Sequence, residues 1–266
     1  MRRRGPLVVD LSERDRSLLV AVADHGLLSA GQVERLLFTD RHASPVATRR
    51  RCQAVLRRLA EGEFLVRLDR RQGGHRAGSA GFTYRLSTKG RRALGGNGRG
   101  GRLEPSERQR LHLLACAEVS VGITEAERLG RARSARVTHE PVTWRRFVGQ
   151  HGGLETLKPD LLVELTTVDG WELRWFIEVD RNTEHLPTVL RKCSQYQRYW
   201  QSGAEDHPVF PRVLWSVPDQ RRQRSIETAI ARTGGLSGDL FRVVTAETTT
   251  DALVRNEINN EEGGEL

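Results

Sequence analysis

The chain is short of cysteine, of paired histidines and of long apolar runs, and each shortage excludes something. Among 266 residues there are three cysteines, Cys52, Cys116 and Cys193, far apart and with no CxxC pair. Neither a zinc cluster nor a disulfide framework is supported, and buried thiols in a reducing compartment are expected. No apolar run approaches the roughly 20 residues that cross a bilayer. The basic start Met1-Arg2-Arg3-Arg4 is not followed by an apolar signal segment, so a cytoplasmic location without a membrane partner is expected. The eight histidines never fall in His-x-His or His-x-x-x-His spacing, and tyrosine occurs only at 84, 196 and 199. That disfavours a relaxase built on a tyrosine nucleophile and a histidine-bound metal. A phosphate-binding GxxxxGK[ST] loop is absent, which excludes an ATP-driven motor. There is no G-x-S-x-G nucleophile elbow either.

What is present is arginine, unevenly placed. Lysine occurs only at 89, 158 and 192, yet the formal net charge is +9. Residues 1–110 carry 24 Lys and Arg against 11 Asp and Glu, and the remainder carries 19 against 23. An Arg-preferring genome explains the choice of arginine but not its crowding into one half. The asymmetry points to a basic half that meets a polyanion.

The N-terminal part reads as three helices and a hairpin. Ser12 and Ser29 open capping boxes, and Ser44-Pro45 is a cap followed by proline at the first helical position. The third helix buries Cys52, Val55, Leu56 and Leu59, with Arg49, Arg50, Gln53 and Arg57 mostly on the other side. Strands at 64–68 and 82–86 flank a basic, Gly-rich turn holding Arg70, Arg71 and Arg76. Three helices followed by a β-hairpin is the winged-helix order, whose third helix and wing are the parts that touch DNA. The alternative is a solvated basic face. The expected division is a winged-helix domain at 1–94, a Gly-rich linker at 95–105, an α/β domain at 106–250 and an acidic, disordered tail at 251–266. Within the α/β domain the expected order is a helix at 106–129, strands at 135–139, 161–166 and 171–179, and a helix at 184–200. A strand at 209–217, a helix at 220–232 and a strand at 241–244 complete it.

The candidate chemistry lies at Lys158-Pro159-Asp160 and at Glu178-Val179-Asp180-Arg181. Glu178 and Asp180 stand two apart on one expected strand, so their side chains leave the same face while Arg181 leaves the other. With Asp160 on a hairpin partner, three carboxylates converge. Such a cluster repels itself unless a hard cation such as Mg2+ or Mn2+ binds it. Positions 188, 192 and 196 share a helical face counted from Glu184, which aims Lys192 and Tyr196 at the same cleft. The alternative is that Asp160 caps a turn while Glu178 and Asp180 are ordinary polar residues on a solvated sheet face.

The pattern Pro159-Asp160, Glu178 and the flanking helix and strands resembles the PD-(D/E)XK nuclease superfamily, with its α-β-β-β-α-β core. It departs from that pattern because Asp180 stands where the motif lysine belongs. The resemblance implies Lys192 as the expected substitute, since lysine migration to the following helix occurs in that superfamily. The whole chain resembles the replication-relaxation family of plasmid and mobile-element proteins. That resemblance rests on Tyr84-Arg85-Leu86-Ser87-Thr88-Lys89-Gly90-Arg91-Arg92, His112-Leu113-Leu114-Ala115, Lys158-Pro159-Asp160, the string Phe176 to Glu184, and Lys192 and Tyr196. It implies a role in plasmid DNA replication, relaxation or mobilisation. Double-stranded DNA is the expected partner, with other replication or mobilisation proteins and a second copy of the chain as further candidates. Two readings stay open. In one, the second domain is a metal-dependent DNA nickase with Asp160, Glu178, Asp180 and Lys192 as catalytic residues, Tyr196 and Glu184 in support, and the three carboxylates on the metal. In the other, it is a silent scaffold in an accessory factor or repressor.

Overall fold

Three serines begin the first three helices. The computed structural model describes residues 11–39, 44–68, 81–96, 104–150 and 152–255. Helix α1 (Glu13–His25) and helix α2 (Ala30–Leu37) open on the capping boxes of Ser12 and Ser29, and α3 (Pro45–Glu61) opens on Ser44 with Pro45 in its first turn. Each serine satisfies an amide that the helix leaves unpaired at its start. Strand β1 (Leu28–Ser29) pairs with β3 (Thr83–Leu86), and β3 pairs with β2 (Leu65–Leu68), all antiparallel. The short helix α4 (Thr88–Ala93) follows. It presses so closely on the chain before β2 that a side chain at Gly90 would collide with the Phe64 carbonyl.

Helix α5 (Glu107–Arg128) contains the division between two compact units, which falls between Val121 and Gly122. The expected linker at 95–105 lies mostly outside the described residues (97–103). The first part of α5 packs with the first unit. Ala117 and Val121 join the core formed by Leu18, Leu19, Val22, Leu56 and Leu59. The Gln32 amide donates to the Leu114 carbonyl at 2.8 Å, and Arg35 pairs with Glu118 at 2.5 Å. The side chain of Asp15 is buried, and Arg58 reaches it at 2.5 Å, tying α3 to α1. Burial works to raise the Asp15 pKa, but Arg58 and the Ser12 cap bring it below the usual carboxylate value.

The second unit is built on a five-stranded mixed sheet. Strand β4 (Ala132–His139) pairs antiparallel with β7 (Leu161–Thr167), and β7 pairs antiparallel with β8 (Glu172–Val179). Helix α6 (Leu186–Ser202) then leads to β9 (Arg212–Val217), parallel to β8, and α7 (Gln220–Arg232) leads to β10 (Phe241–Thr245), parallel to β9. The order across the sheet is β10-β9-β8-β7-β4. One face packs Phe176, Val213, Trp215 and Val243 against Val189, Cys193, Tyr196 and Tyr199 of α6 and Ile226 and Ile230 of α7. On the other face Ser216 bonds Thr249 of α8 (Thr249–Val254) at 2.7 Å. Two features were not expected. A two-stranded hairpin, β5 (Arg145–Val148) and β6 (Leu154–Leu157), is inserted between β4 and β7. The chain also stays ordered past 250, because Ala252, Leu253 and Val254 of α8 are buried. Residues 256–266 of the expected tail lie outside those described. The fold is therefore mixed α/β with open sheets. The three cysteines are free and buried, as expected. Burial and a nearby glutamate push the Cys52 and Cys193 thiols up to about 12, which makes both poor nucleophiles.

Candidate active site

The end of the β7–β8 hairpin brings an acidic pair together. Leu161 stands opposite Ile177, so the chain just before β7 meets the end of β8. There the Val179 amide donates to Oδ2 of Asp160 at 2.8 Å, fixing that carboxylate beside Glu178. Glu178 shares with Phe176 the face that α6 covers and is only 2% exposed. Two side chains one helical turn apart on α6 reach it. The Lys192 ammonium donates to Oε2 at 2.8 Å, and the Tyr196 hydroxyl donates to Oε1 at 2.7 Å. The spacing of four residues on α6 delivers both, as the helical face counted from Glu184 suggests.

The electrostatics of Glu178 are unbalanced. Burial penalises its charge first, and the negative charge of Asp160 penalises it again, while Lys192 and Tyr196 stabilise it. The net effect holds its carboxyl well above the usual range. The same acidic surroundings push Lys192 up, against the opposing effect of burial, while burial first and the neighbouring Glu178 second raise the Tyr196 hydroxyl well above its ordinary value. Glu184 lies 3.2 Å from Lys192 through Oε1, and its Oε2 is buried without a hydrogen-bond partner.

Asp180 is not part of that convergence. It lies just past the end of β8 at 5% exposure, where its amide donates to the Ser216 carbonyl. Its Oδ2 accepts from Nε of Arg222 at 2.5 Å and its Oδ1 from the Asn182 amide at 2.8 Å. Arg222 also donates to the Glu184 carbonyl at 2.7 Å, so one guanidinium holds both ends of the 180–184 turn. Asn182 takes a left-handed conformation there (φ 57°), which asparagine tolerates. Sequence reasoning missed Arg222. It sits in the arginine-rich opening of α7, which looks like solvated surface, and its contact spans 42 residues. The alternative of a solvated sheet face fails for Glu178 and Asp180, since both are buried.

In the first unit, the surface of α3 opposite Cys52, Leu56 and Leu59 carries Arg49, Arg50, Gln53 and Arg57, all exposed. Arg49 leans on Glu34 at 3.4 Å. Arg50, Gln53 and Arg57 fall at i, i+3 and i+7, along one stripe. The expected wing residues Arg70, Arg71 and Arg76 lie outside the described residues.

These features define an α/β protein of two units, one with an exposed basic helix and the other with a buried carboxylate–lysine–tyrosine site. A model of the replication-relaxation family matches residues 19–213, well over half of the chain. The chain belongs to the replication-relaxation family. No curated protein and no solved structure matches it. Among the described residues, no helix is long and apolar enough to cross a membrane.

Proposed function

We propose that this is a plasmid or mobile-element protein that docks on duplex DNA through α3 and nicks DNA at the Asp160–Glu178 site. Three helices and an antiparallel β2–β3 hairpin follow the winged-helix order, in which the third helix enters the major groove. The stripe of Arg50, Gln53 and Arg57 gives that helix side chains for base edges and phosphates. The chain order of α5, whose last turns lie in the second unit, then β4, β7, β8, α6 and β9 supports the α-β-β-β-α-β reading of a PD-(D/E)XK-like unit, with β9 parallel to β8.

The observation that carries the enzymatic reading is the lysine. Lys192 comes from the helix after β8 and touches the carboxylate that matches the motif glutamate, at 2.8 Å. A metal fits the residues present. Asp160 and Glu178 repel each other, the orphaned Oε2 of Glu184 lacks a partner, and all are hard oxygen donors suited to Mg2+ or Mn2+. Asp160 and Glu178 would hold such an ion. It would polarise the phosphodiester and acidify water. Asp180 does not fit the metal role, because the Arg222 guanidinium occupies its place. Lys192, charged at every working pH, supplies positive charge where negative charge builds up on the phosphate.

A second reading has its own support. Both oxygens of Glu178 already accept hydrogen bonds, and Asp180 is locked to Arg222, as a silent scaffold would have them. One experiment separates the two. Purified protein with Mg2+ or Mn2+ is expected to nick supercoiled plasmid, and chelator to stop it. Asp160→Ala and Lys192→Ala are each expected to lower the rate at least a hundredfold, with duplex binding unchanged. Arg50→Ala/Arg57→Ala is expected to weaken duplex binding and flatten its salt dependence. Absence of nicking on any DNA, together with no heat of Mn2+ binding, would leave the accessory-factor reading standing.

A further inference from the structure

We propose that the turn before β5 and the loop after β6 form a seat for an unpaired DNA strand beside the carboxylate site, with a base on Trp144 and phosphates on Lys158 and Arg191. This rests on the reading that the second unit acts on DNA, but not on cleavage. The placement follows from three contacts. The buried Thr143 hydroxyl donates to the Pro159 carbonyl at 2.7 Å, which ties the turn carrying Trp144 to the residue before Asp160. The Lys158 ammonium stands 4.3 Å from the Trp144 ring centroid. Strand β6 runs along α6, with Glu155 bound by Arg198 at 2.7 Å and the Thr156 carbonyl by Gln195 at 3.1 Å. Each step along β6 thus moves toward the start of α6, and past Lys158 the chain reaches Asp160, which bonds the amide next to Glu178, the partner of Lys192. Lys192 faces Glu178, whereas Arg191 is exposed.

The chemistry of this rim selects a ligand. Trp144 is 39% exposed although its neighbour Phe147 is buried. Among the described residues, no carboxylate pairs with Lys158 or Arg191. An exposed indole beside a cation that no carboxylate pairs matches a chain of phosphates with π-faces between them. A duplex buries those faces in its stack, so only an unpaired base offers one to the indole. The exposed Val142, and Val148 and Leu154 at the far end of the hairpin, also suit a protein partner, but the Lys158 ammonium at the Trp144 ring favours a polyanion.

The test is anisotropy with labelled 12-nucleotide oligo-dT and a 12-nucleotide abasic strand, using the full chain in EDTA. It is repeated in the Arg50→Ala/Arg57→Ala background so that α3 does not mask the second unit. Trp144→Ala is expected to weaken oligo-dT binding roughly fivefold or more, and Trp144→Phe to restore most of it. Wild type should hold the abasic strand about as weakly as Trp144→Ala holds oligo-dT. Lys158→Ala should weaken both strands, and Trp171→Ala neither. Equal binding of oligo-dT by wild type and Trp144→Ala, or of abasic and normal strands by wild type, overturns the proposal. If Trp144→Ala does not fold, the abasic comparison and the Phe variant still decide. Normal oligo-dT binding without nicking would sink only the cleavage reading, and lost duplex binding only in the α3 variant concerns only the docking reading.

Discussion

Glu178, buried, and Glu205, half-buried, are carboxylates of the same unit with closely similar partners and opposite acidity. Each accepts a hydrogen bond at 2.7 Å from a tyrosine of α6, Tyr196 for one and Tyr199 for the other. Each also has cationic partners: Lys192 for Glu178, and Arg174 and Arg145 for Glu205. Burial works to raise both. For Glu205, Tyr199 and the two arginines outweigh it and bring the carboxyl below its ordinary value. For Glu178, one lysine and one tyrosine do not, because burial is deeper and Asp160 adds a second negative charge. A carboxylate with balanced charge around it holds structure together. One left with excess negative charge is poised to take up a cation or a proton, which is the mark of a functional site.

The largest effect expected from this contrast is at Glu205. Glu205→Ala leaves the buried Arg174 with Glu164 as its carboxylate partner and the Val209 carbonyl, and strips Tyr199 of its acceptor. It is expected to lower stability at pH 7 by about 3 kcal/mol, read by chemical denaturation. Because its carboxyl is depressed, Glu205 contributes stability that is full above the ordinary carboxylate value of 4.5 and is lost as pH falls through the folded value. The cost of the substitution therefore shrinks as pH falls from 4.5 toward and through the folded value. Unchanged stability at pH 7 would break the comparison.

The opposite sign is expected at Glu178. Its carboxyl is raised, so in the folded protein the group holds its proton beyond the unfolded value of 4.5, and stability falls as pH climbs through the folded value. Glu178→Gln imitates the protonated form and leaves Lys192 with Glu184. In chelator it is expected to raise stability at pH 8, on the order of 2 kcal/mol, with the gain fading toward pH 5. A gain that grows on acidification, or a loss at pH 8, would show that Lys192 and Tyr196 balance Glu178 after all.

Much of this arrangement was legible in the sequence, and the rest was not for identifiable reasons. Ser12, Ser29 and Ser44-Pro45 announce helix starts through local bonds that need no tertiary partner. The Lys192–Tyr196 face was readable because helical periodicity alone carries it. The partners of Asp180 were not. Two carboxylates two apart on a strand leave the same face, but Asp180 falls past the last residue of β8, where the chain leaves the sheet and Arg222 captures it. The β5–β6 hairpin was missed because only Phe147 and Leu157 face the core, while Val148 and Leu154 are exposed, so no clean alternation marks it. Tail residues 251–254 read as acidic and loose, but Leu253 and Val254 supply an apolar edge that packs.

The smallest expected effect tests the two tyrosines directly. Tyr199→Phe removes a donor to a carboxylate that stays charged down to low pH. It is expected to cost about 1 kcal/mol, and to cost the same at pH 5 as at pH 8. Tyr196→Phe removes a donor to a carboxylate that holds its proton well above the usual range, so its cost depends on pH. At pH 5 Glu178 is largely protonated in the fold, the Tyr196 hydroxyl bonds a neutral group, and little is lost. At pH 8 the carboxylate is ionised, and losing one of its two donors makes that ionisation harder still. The folded value of Glu178 then moves further up, and the decline in stability with rising pH extends to higher pH. Denaturant midpoints of both variants at pH 5 and pH 8 provide the check. A cost for Tyr196→Phe that is flat with pH would mean that Glu178 is ionised throughout, like Glu205. The contrast between the two glutamates would then lie in their partners rather than in their charge.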